Sequence, residues 1–134
     1  MSLSESCLAL AVVSTVMTIA VPSLTRSRED YLLAATARQV ASNLHMARIK
    51  AVTRNRDCRM NITSPATYVI ECEDPVWLPV DLAVMPDGFA ISANARPEFH
   101  RHGNVSPMAT ITIRNRNGRE KRVVVNISGR VRVQ

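Results

Sequence analysis

The sequence has few of the residues from which enzyme sites and nucleotide-binding loops are built. It contains four glycines, three cysteines and three histidines in 134 residues. It has no glycine-rich phosphate-binding loop, no Gly-x-Ser-x-Gly turn and no Cys/His quartet with the spacing of metal ligands. These absences argue against catalysis, and we expect neither an enzyme nor a bound cofactor.

Charge is missing from one long stretch near the start of the chain. No side chain between Ser6 and Thr25 is charged, and the segment from Cys7 to Val21 is mostly apolar. At 1.5 Å per residue, a helix of this length reaches most of the way across a hydrocarbon core about 30 Å thick. The residues before it include Glu5 and no Lys or Arg, which is unlike a secretory signal peptide. We expect a membrane-inserted or bundled helix over residues 1–25, with a buried core helix as the alternative.

Glu5 stands directly before this apolar segment, and Pro22 lies near its end. The spacing resembles the mature N-terminus of type IV pilins and type II secretion pseudopilins, which carry a methylated first residue, a Glu and then a Pro at these positions. The resemblance implies that a prepilin peptidase exposes Met1, and that Met1, Glu5 and Pro22 serve assembly. It also implies a bacterial inner-membrane protein that later joins a periplasmic or extracellular filament with copies of itself or other pilins.

The Glu5 carboxylate has two interpretations. An ionised carboxylate in an apolar setting is costly unless it is paired, so we expect Glu5 to meet the amino group of Met1 in its own chain or a neighbour's. The alternative is an ordinary acid at a helix N-terminus, where the helix dipole favours negative charge.

Residues 26–57 are highly charged, yet apolar side chains recur among them at steps of three and four. Such a stripe is typical of an amphipathic helix. Its members are Leu33, Ala37, Val40, Leu44, Ala47 and Ala51. We predict one helix from about residue 3 to 57, kinked at Pro22. The run from Leu44 to Asn55 has the pattern LxxARxxAxxRN and resembles the GspH/FimT group of minor pseudopilins.

The period of apolar residues changes to two from Cys58 onward. Cys58–Ile62 and Tyr68–Cys72 flank a proline-containing turn and predict a β-hairpin that sets Cys58 opposite Cys72. We expect a disulfide between these cysteines in an oxidising compartment, with two free thiols or metal ligation as alternatives. Cys7 is then left as a small apolar residue in helix packing.

Residues 73–102 are interrupted by four prolines, with Leu82–Val84 and Phe89–Ser92 as candidate short strands. An acidic cluster near this segment could build a calcium site, although its spacing fits no known loop. It comprises Glu71, Glu73, Asp74, Asp81 and Asp87. His100 and His102 are expected to share a strand face, but no third ligand is adjacent, and we expect no metal site.

The C-terminal region is β-rich. Met108–Asn115 and Arg119–Ile127 flank Asn117-Gly118, a strong hairpin signal. The apolar pattern favours a register that pairs Ile111 with Val125 and Ile113 with Val123, and this register sets Arg114 opposite Arg122. A last strand is predicted over Arg130–Val133.

The run from Phe99 to Val133 again resembles the GspH/FimT group. The expected fold class is therefore α+β, a long N-terminal helix packed on an antiparallel β-sheet head over residues 58–134. The function implied is that of a structural subunit of a type IV pilus or a type II secretion pseudopilus.

Residues 96–134 hold nine Arg and Lys side chains against Glu98 and Glu120. Such an excess is either a solvated face or an anion-binding strip. FimT-like minor pilins bind DNA through a C-terminal Gly-Arg-x-Arg tail, and Gly129–Arg132 has that form. The resemblance implies an alternative function, a DNA-binding minor pilin for natural transformation. The candidate DNA-binding residues are Arg114, Arg116, Arg122, Arg130 and Arg132.

Overall fold

The computed structural model of the protein describes residues 2–134, so the predictions that concern Met1 lie outside the described residues. Within them, one α-helix, α1, spans Leu3–Thr53, and eight β-strands follow it. The strands are β1 (Cys58–Ser64), β2 (Thr67–Glu73), β3 (Trp77–Val84), β4 (Ala90–Ala93), β5 (Glu98–Phe99), β6 (Ala109–Arg114), β7 (Glu120–Val125) and β8 (Val131–Val133). The predicted α+β class is confirmed.

Residues up to Leu32 form a compact unit of their own. This unit is helical, and none of its most apolar stretch, with a mean hydropathy of 2.1, is buried inside the protein. By length and composition the helix is able to cross a membrane. Its central hydroxyl groups donate to backbone carbonyls of the same helix, as Ser14 does to Ala11 and Thr18 to Thr15. These bonds satisfy the hydroxyl groups without water.

The second unit, Leu33–Gln134, contains the hydrophobic core. Every residue of the predicted helical stripe is buried in it, and Ala37, Leu44 and Ala51 are completely inaccessible to solvent. The stripe shares one core cluster with the inner faces of the strands. Burial of this face, rather than helix propensity, stabilises the second half of α1.

The helix ends at Thr53, a few residues before the predicted end at residue 57, because Asn55 adopts a left-handed conformation with φ of 53°. The N–H of Arg56 donates to the carbonyl of Ala51, and the N–H of Asn55 donates to that of Val52. These two bonds form a Schellman motif, which satisfies the last carbonyls of a helix. Asn tolerates the left-handed region better than most residues.

The strands form two antiparallel four-stranded sheets. The first has the order β3-β2-β1-β5 and the second the order β4-β6-β7-β8. Alternate residues of each sheet face the common core, as expected for sheets with one covered face.

The first hairpin has the predicted register. β1 and β2 pair Cys58 with Cys72, Met60 with Ile70 and Ile62 with Tyr68. Cys58 and Cys72 are joined by a disulfide, which confirms that prediction, and Cys7 is a free, exposed thiol. The hydroxyl of buried Tyr68 accepts a hydrogen bond from the Asn43 amide at 2.6 Å, so its polar atom is satisfied.

The predicted register of the second hairpin is wrong. β6 and β7 pair Ile111 with Val123 and Arg114 with Glu120, so Arg114 does not face Arg122. The two strands are joined by a loop over residues 115–119, in which the Asn115 side-chain oxygen accepts the N–H groups of Asn117 and Arg119. This side chain stabilises a wider loop than Asn117-Gly118 alone predicts, and it replaces a like-charge pair by an opposite-charge pair.

The middle of the chain is more regular than predicted. β3 begins at Trp77 and includes Pro79, which an edge strand tolerates because one side of its backbone has no partner. β5 was not predicted; it has two residues and pairs with β1. His102 lies in a turn after β5, so the expectation that His100 and His102 share a strand face is wrong.

The Cys58–Cys72 disulfide closes a loop of about 15 residues, which the chain-entropy model values at about 3 kcal/mol. We expect the double variant Cys58→Ala, Cys72→Ala to melt several degrees below the wild type when the full chain is heated in detergent micelles and followed by circular dichroism. Reductant should lower the melting temperature of the wild type but not that of the double variant. The matched control, Cys7→Ala, should melt like the wild type, and free thiols at both positions in exported protein would contradict the prediction.

Candidate functional site

The predicted site residues are divided between the two units. Glu5 and Pro22 belong to the helical unit, and the five arginines belong to the second unit. Met1 lies outside the described residues. Each group is therefore described by itself.

Glu5 lies in the first turn of α1 and forms a capping box with Ser2. The Ser2 N–H donates to Glu5 Oε2 at 2.9 Å, and the Glu5 N–H donates to Ser2 Oγ at 3.4 Å. Such reciprocal bonds satisfy two N–H groups that have no partner inside the helix. Within a single chain, Glu5 therefore acts as a helix N-terminal acid, which was the alternative interpretation of this residue.

The surface that follows Glu5 is apolar and uncovered. The large apolar side chains from Leu3 to Leu24 are between 52% and 85% exposed. They lie all around the helix, which is unusual for a surface helix in water. This unit therefore presents a surface that requires lipid or other helices to cover it.

Four of the five predicted arginines lie on the outer face of the second sheet, which we call the basic face: Arg114, Arg122, Arg130 and Arg132. Antiparallel pairing places Arg122 between Thr112 and Gln134, and Arg132 beside Val124. Their strand neighbours Val123, Val131 and Ile113 are buried, so the arginines point to solvent.

Glu120 is an acid within the basic face. It forms an ion pair with Arg114 and lies 4.0 Å from Arg122. The hydrogen bond and charge of Arg114 hold the pKa of Glu120 below its ordinary value. Arg130 and Arg132 form no ion pair within residues 2–134, so no acid compensates their charge on the basic face.

Arg116 is separate from these four. It lies in the β6–β7 loop, and its side chain packs over Gly88, where an added Cβ would collide with it. Its role in a common strip with the other four arginines stays a prediction.

A second cluster of contacts, which we call the Arg48 clamp, was missed by sequence reasoning. Arg48 Nε donates to the Gly103 carbonyl at 3.0 Å, and an Nη atom donates to the Ser128 carbonyl at 3.3 Å. Gly129 has a φ of 79°, and a Cβ there would overlap the Gly103 carbonyl and the Arg48 side chain. The clamp therefore joins α1 to the turn after β5 and to the turn before β8. The Ala-Arg step of the LxxARxxAxxRN pattern was its sequence signal.

A third cluster contains Asp57, Glu98 and His100. His100 Nδ1 lies 3.1 Å from Asp57 Oδ2 and 3.9 Å from Glu98 Oε1. Burial by itself raises the pKa of Asp57, but hydrogen bonds from His100 and from the Arg101 N–H, together with their charges, lower it below its ordinary value. Glu98 and His100 are two residues apart, but sequence reasoning could not anticipate that Asp57 joins them.

The proposed acidic calcium cluster is not assembled in the described residues. Glu71 accepts hydrogen bonds from Arg59 at 2.8 Å and Asn61 at 3.2 Å, and Asp74 pairs with Arg56. Burial favours the neutral form of Glu71, but the bonds from Arg59 and Asn61 lower its pKa overall. Glu71 and Asp74 are therefore structural ion-pair partners.

A cleft of about 540 Å³ opens between β1 and β4. Its walls include Met60, Ile62, Ile91 and Arg96, and none of its lining residues in the described chain is a His, Cys, Asp or Glu. The absence of enzyme activity stays a prediction.

A long helix whose second half packs on two antiparallel sheets is the architecture of pilin-like proteins. The minor pseudopilin EpsH from the type 2 secretion system of Vibrio cholerae superposes with a TM-score of 0.66 and 13% sequence identity, over 76% of this chain and 95% of EpsH. The type IV minor pilin FimU of Pseudomonas aeruginosa superposes with a TM-score of 0.64 and 16% identity, over 79% of this chain and 90% of FimU. At these identities the likeness shows the fold.

The family follows from the sequence match. Residues 36–129 match the family of the type II transport protein GspH, which is most of the chain, and the protein therefore belongs to that family. A search of curated protein sequences gives no match. The matched region contains all of the Arg48 clamp.

The clamp makes a prediction about stability. Hydrogen bonds from a charged donor contribute about 1.5–3 kcal/mol, so Arg48→Met should lower the free energy of unfolding by roughly that amount. Gly129→Ala should also destabilise the fold, because its Cβ meets backbone. The matched control Arg54→Met removes an exposed arginine from the turn directly after the same helix and should cost less than about 0.5 kcal/mol. Urea unfolding of the full chain in detergent micelles measures all three, and equal stability of the Arg48 and Arg54 variants would contradict the clamp.

Proposed function

We propose that this protein is a structural subunit of a type IV pilus or a type II secretion pseudopilus, and that it polymerises through its N-terminal helix. The observation that carries the proposal is the uncovered apolar surface from Leu3 to Leu24, with a single acid, Glu5, in its first turn. Membership of the GspH family and the likeness to a minor pseudopilin and a minor pilin support it. Its partners are copies of itself or other pilins.

The physical reasoning begins with the apolar surface. Before assembly, the inner membrane covers these side chains, since the helix is long and apolar enough to cross it. In a filament, the helices of neighbouring subunits cover them instead. A prepilin peptidase would free the amino group of Met1, and the finished subunit would lie in a periplasmic or extracellular filament of a bacterium.

Glu5 provides the charged contact in the proposed assembly mechanism. Its carboxylate would enter an apolar helix bundle, where an unpaired charge is costly and an amino-terminal cation is the natural partner. The capping box uses one carboxylate oxygen, so the other oxygen remains able to accept a bond from a neighbouring subunit.

The capping box also provides a matched pair of variants. Glu5→Gln keeps an acceptor for the Ser2 N–H, because Gln serves at this position of a capping box, but it removes the charge. Glu5→Ala removes both. Loss of one partner of a buried ion pair typically costs about 3–5 kcal/mol, so both variants should enter filaments at least tenfold less than the wild type.

The measurement compares the amount of the chain in sheared filaments with the amount left in the membrane fraction. Both variants should remain in the membrane at wild-type levels. Normal incorporation of Glu5→Gln together with loss in Glu5→Ala would show that Glu5 acts only as a helix cap, and normal incorporation of both would refute the mechanism.

A second candidate function is DNA binding by the basic face. The observation that favours it is the uncompensated charge of Arg130 and Arg132 beside Arg122 on one solvent-facing sheet surface. Arginine side chains on such a surface can contact successive phosphates of a duplex and release counterions. The Arg114–Glu120 ion pair leaves Arg114 less available for phosphate.

This candidate predicts binding without sequence preference. Affinity of the full chain in detergent micelles for duplex DNA should fall linearly with the logarithm of salt concentration, and the double variant Arg130→Gln, Arg132→Gln should reduce that slope by about two. The control Arg26→Gln, Arg38→Gln removes the same charge elsewhere and should keep the slope. Equal slopes for both double variants, or no binding by the wild type, would leave the basic face as a solvated surface.

A further inference from the structure

We propose that Asp57, Glu98 and His100 form a binding site for a divalent metal ion, with zinc as the preferred ion. Asp57 immediately precedes β1, and Glu98 and His100 lie in and just after β5. The site goes beyond the proposed function, since neither filament assembly nor DNA binding requires it.

Strand pairing brings the three side chains together. The β1–β5 ladder pairs Arg59 with Glu98 and Cys58 with Phe99, which places Asp57 opposite His100 at its end. Glu98 and His100 are separated by one residue and therefore project from the same face of the strand. Asp57, which is distant in sequence, therefore lies beside Glu98 and His100, which are close together in sequence.

The donor atoms have nearly the spacing that a zinc ion requires. His100 Nδ1 is 3.1 Å from Asp57 Oδ2 and 3.9 Å from Glu98 Oε1, and the three atoms lie within 4.8 Å of one another. Ligands about 2.0–2.1 Å from a tetrahedral zinc are about 3.3 Å apart. Small side-chain rotations therefore suffice to bring all three atoms onto one ion.

Neighbouring contacts orient the ligands. Asp57 Oδ1 accepts the Arg101 N–H at 3.1 Å, which leaves Oδ2 facing His100. Arg59 lies opposite Glu98 in the ladder but binds Glu71 at 2.8 Å, so it does not neutralise Glu98. Contacts of this kind fix the orientation of ligands before the ion binds.

The chemistry of the donor set favours zinc over calcium or magnesium. An imidazole nitrogen with two carboxylates suits a borderline ion, whereas calcium and magnesium prefer oxygen ligands throughout. The side chains of Asp57, Glu98 and His100 are 18%, 30% and 28% exposed, so one side of the ion would face solvent and hold water. Three protein ligands with an open position are a common zinc arrangement.

The competing explanation is a plain ion pair between His100 and Asp57. Glu98 separates the two explanations, because an ion pair formed by His100 and Asp57 does not need it, while a metal site uses it as a ligand. Glu98→Gln keeps the size of the side chain and removes its charge. Within residues 2–134 the carboxylate of Glu98 makes one ion-pair contact, the 3.9 Å approach to His100 Nδ1.

The test is isothermal titration of the tag-free full chain with zinc in detergent micelles. All proteins carry Cys7→Ser, because the exposed Cys7 thiol could bind zinc by itself. We expect one zinc per chain, and a dissociation constant raised at least tenfold by Glu98→Gln and by His100→Ala. The control His102→Ala removes an exposed histidine from the same turn and should change the constant less than about twofold, as expected of a residue that is not a ligand.

A second measurement distinguishes loss of the metal site from loss of folding. Cobalt should bind in place of zinc and give the visible absorption of a tetrahedral complex, and the absorption should disappear in Glu98→Gln while its circular dichroism spectrum stays that of the wild type. Failure of the Cys7→Ser protein to take up zinc, or equal affinities for Glu98→Gln and His102→Ala, would overturn the proposal and leave an ion pair. Failure of filament assembly would not bear on it.

Discussion

Burial of one face of α1 is the constraint on which the second unit depends. Each four-stranded sheet has one apolar face, and both faces share a single core with the helical stripe. Small residues at Ala37, Ala47 and Ala51 are completely or almost completely buried, so they let the strands approach the helix backbone closely. Without this stripe, the inner faces of both sheets would be left in water.

The LxxARxxAxxRN pattern has a physical explanation at four of its fixed positions. Ala47 and Ala51 pack in the core, Arg48 holds the Gly103 and Ser128 carbonyls, and Asn55 ends the helix in a left-handed conformation. The pattern therefore specifies how the helix is packed, clamped and terminated. The glycine of the C-terminal Gly-Arg-x-Arg run belongs to the same arrangement, because a side chain at Gly129 would collide with the clamp.

Sequence periodicity predicted the strand register correctly where a one-residue error would have turned apolar side chains to solvent. A one-residue error in the first hairpin would turn Met60 and Ile70 to solvent, so its register was predictable. The second hairpin was misassigned by two residues, a change that keeps every side chain on its own face and is therefore invisible to periodicity. The hydrogen bonds of the Asn115 side chain stabilise the conformation of that loop. β5 has two residues and is too short to show any period. The contact of Asp57 with His100 depends on β5 and was unpredictable for the same reason.

The two units have different kinds of surface. The first has Glu5 at the start of an uncovered apolar segment that extends to Leu24, and its other acids, Glu29 and Asp30, lie beyond that segment. The second buries one apolar core and also presents charge. Arg59 pairs with Glu71 of the first sheet and Arg56 pairs with Asp74 just after it, whereas Arg130 and Arg132 form no ion pair within residues 2–134. Nonspecific burial is suited to assembly, because many helices can cover an apolar surface. Discrimination between partners requires directional polar groups, and the second unit carries them on rigid strands.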